Sequence, residues 1–138
     1  MPDYILDTGV LIRHLRDYSS YPELVNRLTN EGGVFISAMT RLEVVRGMRE
    51  REKNATFELL NSLETANVTR WNADQAGELI RSWRTRGVTL GDADALIAAS
   101  ALQHELSLVT TNPKHFPMPE LTVLQADEEG NITPYKEV

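Results

Sequence analysis

Short apolar runs alternate with longer amphipathic stretches along this chain. Tyr4-Ile5-Leu6, Val34 to Ser37, Val68 to Trp71, Leu106 to Thr110 and Leu121 to Gln125 are rich in β-branched, aromatic or leucine side chains and bounded by polar or turn-forming residues. That is the pattern of short, buried strands. Between them, apolar positions recur at helical spacing. Helices are predicted from Thr8 to about Leu15, from Tyr21-Pro22 to the Gly32-Gly33 stop, from near Arg41, and over roughly Asn54 to Leu63. Two more run from Ala73 to about Thr85, stopping at Gly87, and from Ala93 to His104. Proline suits a helix start because the amide it lacks would be unpaired there, and glycine suits the position past a helix end. Strand alternating with helix implies a parallel sheet covered by helices on both faces.

The length, 138 residues, fits one domain over 1–138. Its acidic end, Asp127 to Val138, reads as a loose tail or a minor edge strand. No internal repeat, low-complexity tract or linker divides it.

In such a sheet, strands end and helices begin along one edge, where ligands bind. Four polar residues fall there: Asp7 after the first strand, Glu43 in the helix after the second, Asp94 at the start of the most apolar helix, and Asn112 after Leu106 to Thr110. Each also has a purely structural reading. Asp7 is placed to cap a helix. Thr40-Arg41-Leu42-Glu43 is a capping box, a pattern repeated at Asn72-Ala73-Asp74-Gln75, where no chemistry is evident. Asn112-Pro113 is a turn dipeptide. Asp94 is the exception. With Asp92 as the expected N-cap, Asp94 has no capping task, yet lies among Ala93, Ala95, Leu96, Ile97 and Ala98. A carboxylate beside a buried helix needs a partner. Three carboxylates and an amide would make a hard-cation site, which points to a metal-assisted hydrolase.

Composition narrows this reading little. Hydrophobic content of 41% and charged content of 25% are those of an ordinary globular protein. Absence of cysteine removes disulfides, thiolate metal sites and thiol nucleophiles. No apolar run is long enough to span a membrane, and Arg13, His14 and Arg16 interrupt any secretory pattern, so the cytoplasm is the expected location. The net charge of −6 argues mildly against a general nucleic-acid binder, but acids gathered around a cation would inflate it. Basic residues cluster at Arg41, Arg46, Arg49, Arg51 and Lys53 and at Arg81, Arg84 and Arg86, read first as solvated helix faces. His14, His104 and His115 lack metal-ligand spacing, and Trp71 and Trp83 read as core or interface.

Four blocks, in this order, resemble the PIN domain and, within it, the VapC-type toxin ribonucleases of toxin–antitoxin pairs. They are Ile5-Leu6-Asp7-Thr8, Arg41-Leu42-Glu43-Val44-Val45-Arg46-Gly47, Asp94 to Ala101, and Leu108-Val109-Thr110-Thr111-Asn112-Pro113-Lys114-His115-Phe116. The resemblance covers nearly the whole chain. It implies a three-layer fold with about five parallel strands, and an acidic site of Asp7, Glu43, Asp94 and Asn112. Asp7, Glu43 and Asp94 would ligate Mg2+ or Mn2+, directly or through water, while Asn112 ligates weakly or orients a water. Thr8 and Thr111 are expected to hydrogen-bond the carboxylates, and Arg46 to contact RNA phosphates. Where the family often has Asn or Ser after Asp-Thr, this chain has Gly9, so Thr8 and Asp92 would have to take over that side chain's work.

The activity implied is endoribonucleolytic: a metal-activated water attacks the scissile phosphate, leaving a 5′-phosphate and a 3′-hydroxyl. A cognate antitoxin and a homodimer are the partners the resemblance implies. Two other readings stay open. A PIN-like module could bind RNA or protein without turnover. A phosphoaspartyl enzyme using Asp7 would need a second Asp two residues on, where Gly9 stands.

Overall fold

The computed structural model describes residues 3–136. Glu137 and Val138, the end of the expected tail, lie outside them. The elements run β1 (Tyr4–Leu6), α1 (Thr8–Leu15), α2 (Tyr21–Glu31), β2 (Val34–Ser37), α3 (Ala38–Gly47), α4 (Lys53–Ser62), β3 (Glu64–Ala66), α5 (Arg70–Arg84), α6 (Asp92–His104), β4 (Ser107–Thr110), β5 (Thr122–Ala126) and β6 (Ile132–Pro134). Short 3-10 turns precede α4 (Glu50–Glu52) and follow β4 (Pro113–His115).

The strands form one sheet in the order β3-β2-β1-β4-β5-β6. The first five are parallel, as expected, and β6 adds an antiparallel edge on β5, with Leu124 opposite Pro134. The acidic end is thus the minor strand rather than the loose tail. Chain order runs outward one way from β1 to β2 and β3, then returns to β4 on the other side of β1. The sheet therefore changes winding direction between β1 and β4, where α/β folds open a crevice beyond the strand ends.

Strand alternation divides the core in two. Tyr4 and Leu6, with Val34, Ile36 and Val109, face α1 and α2, burying Val10, Leu11, Leu24 and Leu28. Ile5, Leu108 and Val123 face α6, burying Ile97, Ala98 and Ala101. Helix α6 is covered again on its outer side, where Ala95 and Ala99 meet Ala76 of α5. Being buried on both sides makes it apolar nearly all round, with alanine allowing close approach.

Local expectations fail where the pattern was ambiguous. Val68 to Trp71 is not a strand: β3 is Glu64–Ala66, paired with Phe35–Ser37, and its edge position tolerates a polar, three-residue segment. Thr69 instead caps α5, its hydroxyl accepting the Asn72 N–H at 3.1 Å, leaving Val68 and Trp71 exposed. Asn72 is consequently inside α5, buried, donating its amide to the Ser100 hydroxyl at 3.0 Å. Helix α3 begins earlier than Arg41, capped by Ser37, whose hydroxyl accepts the Met39 N–H at 3.0 Å. The Thr40–Glu43 capping box does not form. Gly91, not Asp92, occupies the N-cap of α6.

Candidate active site

Asp7 stands at the end of β1, at the winding reversal. Its backbone N–H donates to the Val109 carbonyl at 3.0 Å, continuing the β1–β4 ladder by one residue. By strand parity its side chain points to the same side as Ile5. Its carboxylate is nearly buried and held twice: Oδ1 accepts the Thr8 N–H at 2.8 Å, and Oδ2 accepts the Thr110 hydroxyl at 2.7 Å. Asp7 therefore does cap α1, with one oxygen, while the other is fixed toward β4.

Glu43 lies inside α3 rather than in its first turn. Oε1 accepts the Thr8 hydroxyl at 2.9 Å, and that hydroxyl lies 3.1 Å from the buried Thr40 hydroxyl. Thr8 thus links Asp7, through its backbone, to Glu43, through its side chain. Asp94 sits in the first turn of α6, with 25% of its side chain exposed, Oδ2 being 3.4 Å from Nδ1 of His115.

The electrostatics tie the three acids together. Burial raises the Asp94 pKa to about 6, with the negative charges of Asp7 and Glu43 adding to the effect and His115 opposing it. Burial also raises that of Asp7; hydrogen bonds from Thr110 and Thr8 oppose the rise, and Glu43 reinforces it. The acids sense one another's charge along a partly dry edge of the sheet, and a cation nearby would ease the ionisation of Asp7 and Asp94.

The expected supporting residues fare differently. Asn112 reaches the same edge, but its side chain is exposed, its amide directed toward the Thr111 hydroxyl at 3.4 Å. Thr110, not Thr111, holds the Asp7 carboxylate, and its hydroxyl also accepts the Asn112 N–H at 3.0 Å. Parity and register explain this. Leu6 pairs with Val109, so the next residues, Asp7 and Thr110, are neighbours on one face. That alternation was the available signal for Thr110, which sequence reasoning missed along with His115. Thr111 instead fills the space beside Gly9, where a Cβ would come within 3.1 Å of its hydroxyl. Asp92 is exposed at the start of α6, and Arg46 is exposed in the last turn of α3.

The donor set, three carboxylates with an amide close by, is all hard oxygen and suits Mg2+ or Mn2+ in kind. Among the described residues, no three His, Asp or Glu side chains stand close enough to clasp a cation unaided. Glu43, tied to Thr8, would turn or act through water. With one or two direct carboxylates, the arrangement fits a cation that keeps several waters.

The PIN domain family model matches residues 4–118. Ribonuclease VapC10 of Mycobacterium tuberculosis is 34% identical over 114 residues, covering 83% of this chain and 86% of that protein. Ribonuclease VapC19 of the same organism is 34% identical over 115 residues, covering 83% and 92%. Among solved structures, VapBC2 from Rickettsia felis, bound to a DNA fragment from its promoter, superposes with a TM-score of 0.76 at 23% identity, covering 91% of this chain and 99% of that one. FitAcB from Neisseria gonorrhoeae gives 0.68 at 28% identity, covering 87% and 95%.

Proposed function

This chain belongs to the PIN-domain family, and we propose that it is the ribonuclease toxin of a toxin–antitoxin pair, cleaving RNA with Mg2+ or Mn2+ held by Asp7, Glu43 and Asp94. The observation that carries the reading is the gathering of those three carboxylates around the β1–β4 reversal, with Asp7 gripped by Thr8 and Thr110 and Glu43 by Thr8. Burial, reinforced by the neighbouring negative charge, makes Asp7 and Asp94 hard to ionise without a counter-charge. The similarity to VapC ribonucleases over 83% of the chain supports the same reading. A bound divalent cation would supply water acidified for attack and charge neutralisation at the scissile phosphate.

The side chains supply the rest. Thr110 and the Thr8 amide fix Asp7 in one orientation and favour its charged form. Thr8 orients Glu43 through its hydroxyl. Asp94 sits at the N-terminal end of α6, where the helix dipole favours a negative charge. Asn112 stands at the mouth, placed to hold a water or a phosphate oxygen.

An antitoxin and a second copy of the chain are the proposed partners. A groove lined by Ile12, Leu15, Val44 and Met48, with Glu43, Glu52 and Arg16 in its wall, opens beside Glu43. It suits an apolar segment carrying a cation, which is the chemistry an inhibitory antitoxin would need. Among the described residues no helix is long and apolar enough to cross a membrane.

The direct test is incubation of a labelled RNA pool with Mg2+, Mn2+ or EDTA, alongside Asp7→Asn and Asp94→Asn. Metal-dependent cutting lost in both variants is expected. RNA or antitoxin binding without cutting under any metal would replace the enzyme with a binding module.

A further inference from the structure

Two adjoining hollows form a furrow that starts at Asp94, bordered on one side by the end of α5 and its connection to α6, and on the other by the β4–β5 connection, β5 and the end of the β5–β6 hairpin. Its first part is lined by Val88 to Gly91 on one side and by Lys114 and His115 on the other. Its second part, ≈ 700 Å³, includes Trp83 and Arg86 on one side and Phe116, Tyr135 and Lys136 on the other. The two parts adjoin on both sides: the Val88 N–H donates to the Trp83 carbonyl at 3.0 Å, and His115 and Phe116 are chain neighbours.

Two features mark this furrow. The first is charge. Among the described residues Asp94 is the only acid lining it, although the chain carries −6. Three other clefts among the described residues carry at least two acids each in their walls: Glu43 and Glu52; Asp74, Glu78 and Asp92; Glu105 and Glu120. The second is shape. The Arg86 guanidinium lies 4.5 Å from the centre of the Trp83 ring. Trp83 is itself packed against the core that holds Ile97 and Phe116. A guanidinium plane backed by an anchored indole is a stacking platform for a nucleobase. Cations alternating with flat faces complement a single strand, whose phosphates and bases alternate likewise. An acidic peptide would use the cations and leave the platform uncovered.

We propose that this furrow is the track for single-stranded RNA. The strand leaves the carboxylates past Lys114 and His115, which meet its phosphates, and lays a base on the Trp83–Arg86 pair. This rests on the ribonuclease reading above and adds where the substrate lies and in what form.

The test uses the whole chain and a labelled 12-nucleotide single-stranded RNA. Arg86→Gln and Lys114→Gln change exposed residues, and Arg27→Gln on α2 serves as the charge-matched control. Each furrow variant is expected to weaken binding by about tenfold relative to Arg27→Gln and to flatten the dependence of log K on log salt by about one. In cleavage, the loss falls on KM. In a Trp71→Phe background, Trp83 is the sole tryptophan, and its emission is expected to change on RNA addition. Furrow variants that bind RNA as Arg27→Gln does, with Trp83 emission unmoved, would overturn the track. If the wild type still cuts, the ribonuclease reading survives that result. An acidic peptide of equal charge that competes as well as RNA would also overturn it, leaving only a basic patch. Wild-type RNA binding that depends on Arg86 and Lys114, without cutting under any metal, would keep the track and remove the nuclease.

Discussion

The Thr110 hydroxyl donates to Oδ2 of Asp7 at 2.7 Å, joining the ends of the two strands between which the sheet changes direction. Both groups are buried, and among the described residues no other side chain donates to that carboxylate. Replacing Thr110 by Val keeps the shape and removes the donor. A hydrogen bond to a charged group contributes about 1.5–3 kcal/mol, so Thr110→Val should lower kcat/KM near neutral pH by roughly tenfold or more. The acid limb of the pH–rate profile should move to higher pH, because Asp7 loses a contact that favours its ionised form. An unmoved limb would mean that Asp7 is not the group titrating there.

Asp7→Asn and Asp94→Asn should each reduce metal-dependent RNA cleavage by at least about two orders of magnitude, as loss of electrostatic stabilisation at a reacting centre does. They should also abolish the rise in Tm that Mg2+ or Mn2+ gives the wild type. At about 100 times Kd, ligand linkage contributes about 2.7 kcal/mol. Thermal melts with EDTA and with metal provide a readout independent of activity.

Without metal, Asp94 holds its proton to about pH 6 in the folded chain, against an ordinary value of 3.8. Between those values the folded state binds more protons than the unfolded state, so stability falls as pH rises through that window and stays lower above it. Asp7 acts in the same direction. The wild type, compared with Asp94→Asn in EDTA, should lose Tm progressively from pH 4 to pH 6. A difference independent of pH would contradict a raised Asp94 pKa in the folded chain.

Gly9 and Thr111 should be coupled. A methyl at Gly9 would come within 3.1 Å of the Thr111 hydroxyl, pushing it toward Asn112. Gly9→Ala should therefore reduce activity several-fold, even though alanine favours the helix by up to about 1 kcal/mol. The double variant Gly9→Ala/Thr111→Ala should recover part of the loss. Neighbouring sites typically couple by about 0.5–3 kcal/mol, and a cycle in cleavage rates that adds without coupling would refute the contact.

Tyr21 ties the β5–β6 hairpin to α2. Its hydroxyl donates to the Asp127 carbonyl at 2.6 Å and accepts from Arg13 at 3.2 Å. The turn is further fixed by Gly130, at φ +83°, where a Cβ would lie 3.1 Å from the Ser20 backbone. Tyr21→Phe should cost about 1 kcal/mol, the net contribution of a hydrogen bond, and Gly130→Ala more. Urea unfolding midpoints measure both.

Most of the fold was legible in the chain, because a buried strand or an amphipathic helix writes its period directly into the order of side chains. β1, α1, β2 and the apolar α6 came from that period, as did the parallel sheet. The acids at strand ends and helix starts, Asp7, Glu43 and Asp94, could be assigned to one edge. What failed was local and competitive: Ser37 and Thr69 took caps offered equally by Thr40 and Asn72, and an edge strand formed at Glu64–Ala66 because its partner, not its composition, selected it. Tertiary structure alone decided that Thr110 rather than Thr111 grips Asp7, since this depends on the register of two strands about a hundred residues apart. It also decided that His115 meets Asp94 and that Trp83, Arg86 and Lys114 border one furrow. Such meetings follow from how two connections pass in space, and neither period nor spacing along the chain encodes that.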